Sequence, residues 1–351
     1  MTSTPREEAG ELSFENLVSR SIGSEPLGPL HELLPVLAHD LTDVDWRLQE
    51  ILGARYATLT EAARYACSTG GKRVRPLLMA AYFRALGSPD TSRIHSLAAA
   101  FQLIHTASLV HDDVIDHADA RRGRPSMPRA YGLPLSIVTG DYLFVRAFEL
   151  AAEYPKSIIL RCGEACADLV EGEVLQEAGR FDLSTGRDHY LRVVERKTAA
   201  IVAAALGSCA ELTTSDPEAI DAAMTFGRSL GVAFQIRDDL LDVFGDPDLM
   251  GKPLYADFRE GNPTLVSLVT YERLDSSGQA EFERIFQTRR KRARHLLRLR
   301  ELAEEAGAHA VVEAEARSWA DRASRSLVGL PESPYRALLE RLARATVERP
   351  S

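Results

Sequence analysis

The chain has 351 residues, 26% of them charged and 45% hydrophobic, a composition that suits a soluble globular protein with a sizeable core. Its net charge of −9, with acids and bases mixed along the chain, excludes general nucleic-acid affinity, which needs a basic excess. The four cysteines (Cys67, Cys162, Cys166, Cys209) form no CxxC pair, and neither a signal peptide nor a membrane-spanning apolar run is visible, so a cytoplasmic protein with reduced thiols is expected.

Residues 1–27 are polar and read as a flexible N-terminal arm, followed by one domain over 28–351. From there the pattern is helix after helix, rich in Ala, Leu, Arg and Glu. Leu97, Phe101, Ile104 and Ser108 keep the spacing of one helix face. Breaks fall at GSPDTS (87–92), YGLP (131–134), TSDPE (214–218) and GDPDLMGKP (245–253). Strand-like alternation is scarce and nothing recurs at a solenoid period of about 30–50 residues, so the fold class expected is all-α, with ten or more helices.

One short pattern occurs twice. Asp112-Asp113-Val-Ile-Asp116 returns as Asp238-Asp239-Leu-Leu-Asp242, each after an apolar helical stretch. On a helix the first and last aspartates of each cluster lie one turn apart, where like charges repel. Two such helices facing a cavity would converge up to six carboxylates, which a poorly solvated site tolerates only with cations. All-oxygen ligands select a hard cation, and magnesium completes its shell with substrate phosphates. Bases for a diphosphate stand nearby: Lys72, Arg73 and Arg75 before the first cluster, Arg121 and Arg122 after it, and Lys252 after the second.

At these residues the sequence resembles the trans-isoprenyl (polyprenyl) diphosphate synthases. The likeness rests on GGKRVRP (70–76), SLVHDDVIDHADARRGRP (108–125), GDYL (140–143), EGEVLQ (171–176), ERKTA (195–199), FQIRDDLLDVFGDP (234–247) and GKP (251–253). It implies the isoprenoid synthase fold, a large helical bundle around a central cavity, in a homodimer. Asp112, Asp113, Asp116, Asp238, Asp239 and Asp242 would then hold Mg²⁺ on an allylic prenyl diphosphate, with three ions present once the diphosphate is bound. Arg121, Lys197, Thr198, Gln235 and Lys252 match positions that contact that substrate, and Lys72, Arg75, His105 and Arg122 those that hold isopentenyl diphosphate. Ionisation of the allylic C–O bond, attack by the isopentenyl double bond and proton loss would lengthen the chain. The aspartates (Asp242 excepted) and Lys197 form the expected catalytic set.

Two positions depart from the family pattern: His117, where an acid is common, and Asn262, where a lysine is usual and Arg259 is the nearby substitute. Ala107 and Ser108, one turn before Asp112, are small, which implies a deep cavity and a product of C30–C50, with C20–C25 as the shorter option. The rival reading is that they serve close helix packing. For His111 a hydrogen-bonded or packing role is favoured over metal ligation, and Cys162 and Cys166 read as core. The basic stretch 288–300 reads as a solvated face, with peripheral contact to anionic lipid during product release as the alternative. A terpene cyclase on the same fold, a non-catalytic partner subunit and a helical scaffold are the rival functions. The full isopentenyl-binding set argues against the first, the unbroken aspartates against the second, and the scaffold leaves both clusters unexplained.

Overall fold

The computed structural model describes residues 28–68, 73–246 and 254–348; the expected arm over 1–27, Lys72 and Lys252 lie outside them. A 3₁₀ turn (Gly28–Leu33) leads into α1 (Leu34–Ile51), whose first turn carries Pro35, pre-set for that position. Next come α2 (Ala57–Cys67), α3 (Val74–Ala85) and α4 (His95–Ile115). A small antiparallel hairpin, β1 (Ala120–Arg121) with β2 (Arg124–Pro125), precedes α5 (Met127–Tyr131), α6 (Leu133–Ala151) and α7 (Lys156–Gly179). Then α8 (Gly186–Val194) runs through a π-helical stretch (Glu195–Ala199) into α9 (Ala200–Glu211). The chain continues with α10 (Pro217–Phe244), α11 (Ala256–Glu260), α12 (Leu265–Arg273) and α13 (Ser276–Phe286). It closes with α14 (Ala293–Glu305), α15 (Ala308–Ser326) and α16 (Pro334–Val347). The expected all-α class is observed, the hairpin being the one β element among the described residues.

The expected breaks at 87–92, 131–134 and 214–218 fall at the junctions between helices, and most of the fourth, GDPDLMGKP, lies outside the described residues. At YGLP the break is a single residue: Gly132, at φ 80°, separates α5 from α6. At TSDPE, Pro217 opens α10 and the Asp216 carboxylate accepts the Glu218 N–H at 3.0 Å.

The residues group into two compact units, each built from separate stretches of chain. The first comprises Met1–Cys166, Ala204–Met224 and Leu327–Arg341. Its α4 is buried on nearly every side: Leu97, Phe101 and Ile104 are enclosed as expected, and so are Ala98, Ala99, Ala100, Leu103 and Ala107. It packs along α6, and a bidentate pair from Arg84 to the buried Asp40, both bonds 2.8 Å, ties α3 to α1. The second unit comprises Ala167–Ala203, Thr225–Ser326 and Leu342–Ser351. Its core centres on Val232, Ile236 and Leu240 of α10, with Phe258, Leu265, Val269, Phe282, Phe286 and Leu299. There α10 lies close against the end of the π-helical stretch and the start of α9: a Cβ on Gly227 would lie 2.7 Å from Ala203 Cα, and one on Gly231 2.7 Å from Ala199 Cα. Of the two cysteines expected in the core, Cys162 is a fully buried thiol, as is Cys209, whereas Cys166 is only half-buried.

Candidate active site

In the first unit, Asp112 and Asp113 occupy the last turn of α4 and Asp116 its C-cap. The helix closes with Ala118 N–H donating to Asp113 O at 3.0 Å and His117 N–H donating to Val114 O at 3.4 Å, with His117 at φ 51°. His117 therefore fills the left-handed position just past a helix end, one of the few places where histidine is tolerated at positive φ. It is exposed and its departure from the family pattern is met by backbone geometry. The ring of His111 lies across Gly140 of α6, where a Cβ would come 2.2 Å from Nε2, and Nε2 donates to Ile137 O at 3.2 Å. His111 thus has the hydrogen-bonded packing role, and the glycine of GDYL makes room for it.

After the helix, Arg122 (φ 52°) and Gly123 (φ 74°) form the two-residue turn of the hairpin, with Arg121 opposite Arg124. Positive φ at both central residues is the type I′ turn, whose twist suits a hairpin; arginine at the first of them is strained. The hairpin is anchored on α2: Tyr65 Oη donates to Pro125 O at 2.7 Å, and the Arg124 guanidinium lies 4.5 Å from the Tyr65 ring centre. This brings Arg121 and Arg122 into one pocket with Arg73, Gln102, His105 and Asp113. Arg121 Nε donates to the buried Asp113 at 2.6 Å, and Arg73 is fixed by Asp45 at 2.8 Å and Cys67 O at 3.1 Å.

Positive charge exceeds negative here. Burial, and then the Arg122 charge, lowers the Arg75 guanidinium to about 10, and its buried Nε has no hydrogen-bond partner among the described residues. Burial and then the charges of Arg75, Arg122, Arg121 and Arg73 hold His105 well below the usual imidazole range, so it is neutral. Asp113 moves the other way, its carboxyl raised by burial against the pull of Arg121. Ala107 is fully buried and Ser108, 7% exposed, donates its hydroxyl to His105 O at 2.9 Å; neither lines this pocket.

In the second unit, the contact of Gly227 and Gly231 with α9 continues down the same stripe of α10. Four residues on, Gln235 Oε1 accepts the Thr198 hydroxyl at 3.0 Å, and Gln235 Nε2 donates to Asp239 Oδ1 at 2.8 Å. Tyr190 Oη donates to the other oxygen of Asp239 at 2.6 Å. Thr198 and Lys197 lie in the π-helical stretch, a distortion that often marks functional sites. The EGEV segment of α7 supports it: Glu171 pairs with Arg196, Glu173 pairs with Lys197, and Gly172 leaves space for the Lys197 backbone, 2.7 Å from where a Cβ would sit.

Asp242 receives backbone N–H groups from the start of α11, Ala256 at 3.2 Å and Asp257 at 3.1 Å. Asn262 is buried and donates to both Asp257 (3.2 Å) and Glu260 (3.1 Å), so where the family usually has a cation an uncharged amide bridges two acids. Arg259 is exposed. Negative charge exceeds positive: burial lifts the Asp239 carboxyl to about 7 although Tyr190 and Gln235 pull it down. Burial, then the charges of Asp239 and Asp242, raises Asp257 well above the carboxylate range.

This donor set fits magnesium chemically: it is oxygen throughout, and its buried carboxylates are short of positive charge. Among the described residues no three acidic, histidine or cysteine side chains gather closely enough to hold an ion by themselves. Magnesium commonly binds through one or two carboxylates and takes its other ligands from phosphate and water. No motif of the sequence singles out Tyr190, Asp257 or Tyr65. Asp257 follows a glycine- and proline-rich break, and Tyr190 stands two helical turns before Lys197, the only hints that either offers.

The polyprenyl synthetase family model matches residues 56–303. The chain is 33% identical over 324 residues to the octaprenyl diphosphate synthase of Escherichia coli (strain K12), covering 91% of this chain and 99% of that one. It is 35% identical over 248 residues to a short chain isoprenyl diphosphate synthase of Methanothermobacter thermautotrophicus, covering 69% of this chain and 76% of that one. Among solved structures, the polyprenyl synthase from Caulobacter crescentus CB15 complexed with calcium and isoprenyl diphosphate superposes with a TM-score of 0.86 at 33% identity. That likeness covers 93% of this chain and all of that one.

Proposed function

Because this chain belongs to the polyprenyl synthetase family, we propose that it joins isopentenyl units to an allylic prenyl diphosphate until a long all-trans product, about C30–C50, is reached. It is a prenyltransferase. The observation that carries the reading is the opposed charge of its two clusters: an arginine pocket around a neutral histidine, and buried carboxylates held by donors.

Arg75, Arg122 and His105 take the isopentenyl diphosphate, joined by Lys72. His105 contributes a hydrogen bond and no charge. Arg121, Lys197, Thr198, Gln235 and Lys252 orient the allylic diphosphate. Lys197 exchanges Glu173 for the incoming anion. Asp112, Asp113, Asp116, Asp238, Asp239 and Asp242 hold magnesium, three ions with the diphosphate bound, in accord with a relative solved with calcium and isoprenyl diphosphate. When bound, the metal supplies positive charge that stabilises the departing diphosphate. The buried surroundings keep water from the allylic cation. No protein nucleophile is required, and the released diphosphate accepts the proton.

Incubation with Mg²⁺, isopentenyl diphosphate and farnesyl or geranylgeranyl diphosphate, with product length read by mass spectrometry, tests this. A ladder ending in the long-chain range is expected; hydrocarbon released from the allylic substrate alone would identify a cyclase instead. Ala107→Phe is expected to shorten the product by one or more isoprene units, and an unchanged distribution would sink the assignment of Ala107 and Ser108 as chain-length residues. That relatives at similar identity are named for octaprenyl and for short-chain products makes this the decisive measurement of length.

Cytoplasmic placement, a homodimer and lipid contact complete the proposal. Among the described residues no helix is long and apolar enough to cross a membrane. α6 presents Leu133, Ile137, Val138 and Val145 to its surroundings, a face suited to a second copy, which sedimentation would detect. In the basic stretch Arg298 and Arg300 are already paired with Glu281 and Glu304, whereas Arg290, Arg292 and Arg294 are exposed for anionic lipid, which vesicle co-sedimentation would detect.

A further inference from the structure

A carboxylate that holds a cation must keep one orientation, and each of its oxygens divides its lone pairs between the cation and the groups that fix it. Asp239 is 4% exposed and has two such groups, Gln235 on Oδ1 at 2.8 Å and Tyr190 on Oδ2 at 2.6 Å. Gln235 belongs to the same helix and is itself fixed by Thr198. Tyr190 comes from a different element, α8, and is 5% exposed, in one core cluster with Val194, Val232 and Ile236. The ring alone satisfies that core, as a phenylalanine would. The hydroxyl is the added feature, and it is aimed at a carboxylate of the second cluster.

We propose that Tyr190 is a positioning residue for the metal site, its hydroxyl fixing the Asp239 carboxylate in the orientation in which it holds a divalent cation. This rests on the reading of the chain as a metal-dependent synthase. With one lone pair of each oxygen committed to Gln235 and Tyr190, one on each remains for the ion. Loss of the phenol oxygen leaves Oδ2 of the buried Asp239 without its fixed partner.

Tyr190→Phe removes that oxygen alone. Mn²⁺ titration followed by electron paramagnetic resonance, in the presence of inorganic diphosphate, is expected to give a Kd raised about ten- to a hundredfold, the usual cost of losing a partner that orients a ligand. The KM for isopentenyl diphosphate is expected to stay unchanged. In an Asp239→Asn background the same substitution is expected to add less than about twofold, because its target is gone. An equal Mn²⁺ constant in Tyr190→Phe and the parent protein, or losses that add in full in the double variant, would overturn the proposal. A parent protein that binds no Mn²⁺ with diphosphate and elongates nothing would overturn the synthase reading and this one with it. Should Tyr190→Phe fail to fold, 3-fluorotyrosine at 190 preserves the packing and makes the O–H a more acidic donor. The constant must then shift, and an unchanged value rejects the role.

Discussion

His105 is a histidine kept neutral by its neighbours, and that has a thermodynamic signature. Its folded pKa lies well below the ordinary 6.5, through burial first and the charges of Arg75, Arg122, Arg121 and Arg73 after it. Below about pH 6.5 the unfolded chain therefore takes up a proton that the folded chain refuses, and stability falls as pH falls, by at most about 1.4 kcal/mol per pH unit. His105→Gln carries no such proton. The difference between parent and variant unfolding free energies, measured by urea titration, is expected to be flat above pH 7 and to move against the parent by about 1–2 kcal/mol on reaching pH 5. A pH-independent difference would mean that the imidazole is not shielded from its proton. The sequence brought His105, Arg75 and Arg122 together by family resemblance alone. The charge balance that keeps His105 neutral was not legible, because it depends on a hairpin that carries two arginines back over α4.

Among the elements, the helices were legible because their periodicity is long and their ends carry Pro, Gly or Asp. The hairpin was not, since Arg122-Gly123 is outside the Asn-Gly and Asp-Gly pairs that announce a type I′ turn. The π-helical stretch at ERKTA was hidden too, since one extra residue per turn leaves no mark on hydrophobic spacing. Gly227, Gly231, Gln235 and Asp239 recur every four residues, but only the fold shows that the first two bring two backbones together so that the last two meet Thr198 and Tyr190. A methyl group at Gly227 would lie 2.7 Å from both Ala203 Cα and Val202 O, main-chain atoms that cannot rotate aside. Gly227→Ala is therefore expected to lower stability by about 1–3 kcal/mol and to separate α10 from α9. Kinetically, the KM for the allylic substrate should rise while that for isopentenyl diphosphate holds, because the displaced groups are Thr198 and Gln235. Equal rises in both constants would place the damage elsewhere.

At the level of the whole molecule, the net charge of −9 conceals two local excesses of opposite sign, one in each compact unit. The units themselves leave no trace in composition, because four of their five boundaries, at Cys166, Ala203, Met224 and Arg341, fall inside helices, and the fifth lies at the end of α15. In the first unit Asp113 is the one acid lining a pocket with Arg73, Arg121 and Arg122; in the second, Asp239, Asp242 and Asp257 are neighbours. Burial first, and like charge after it, makes each excess unfavourable by itself, in keeping with the lowered guanidinium of Arg75 and the raised carboxyl of Asp239. A diphosphate would relieve the first and a divalent cation the second, and among the described residues the carboxylates do not form a complete cage for such an ion. Metal and diphosphate are therefore expected to bind with positive coupling, each tightening the other by the same factor, about 5- to 150-fold. Calorimetry with Mn²⁺ and inorganic diphosphate, each titrated with and without the other, measures both sides of that cycle. The coupling should collapse in Asp239→Asn, which retains diphosphate binding through the arginines. A metal affinity unchanged by diphosphate would mean that the acids bind the cation unaided, against the dispersed carboxylates of this fold.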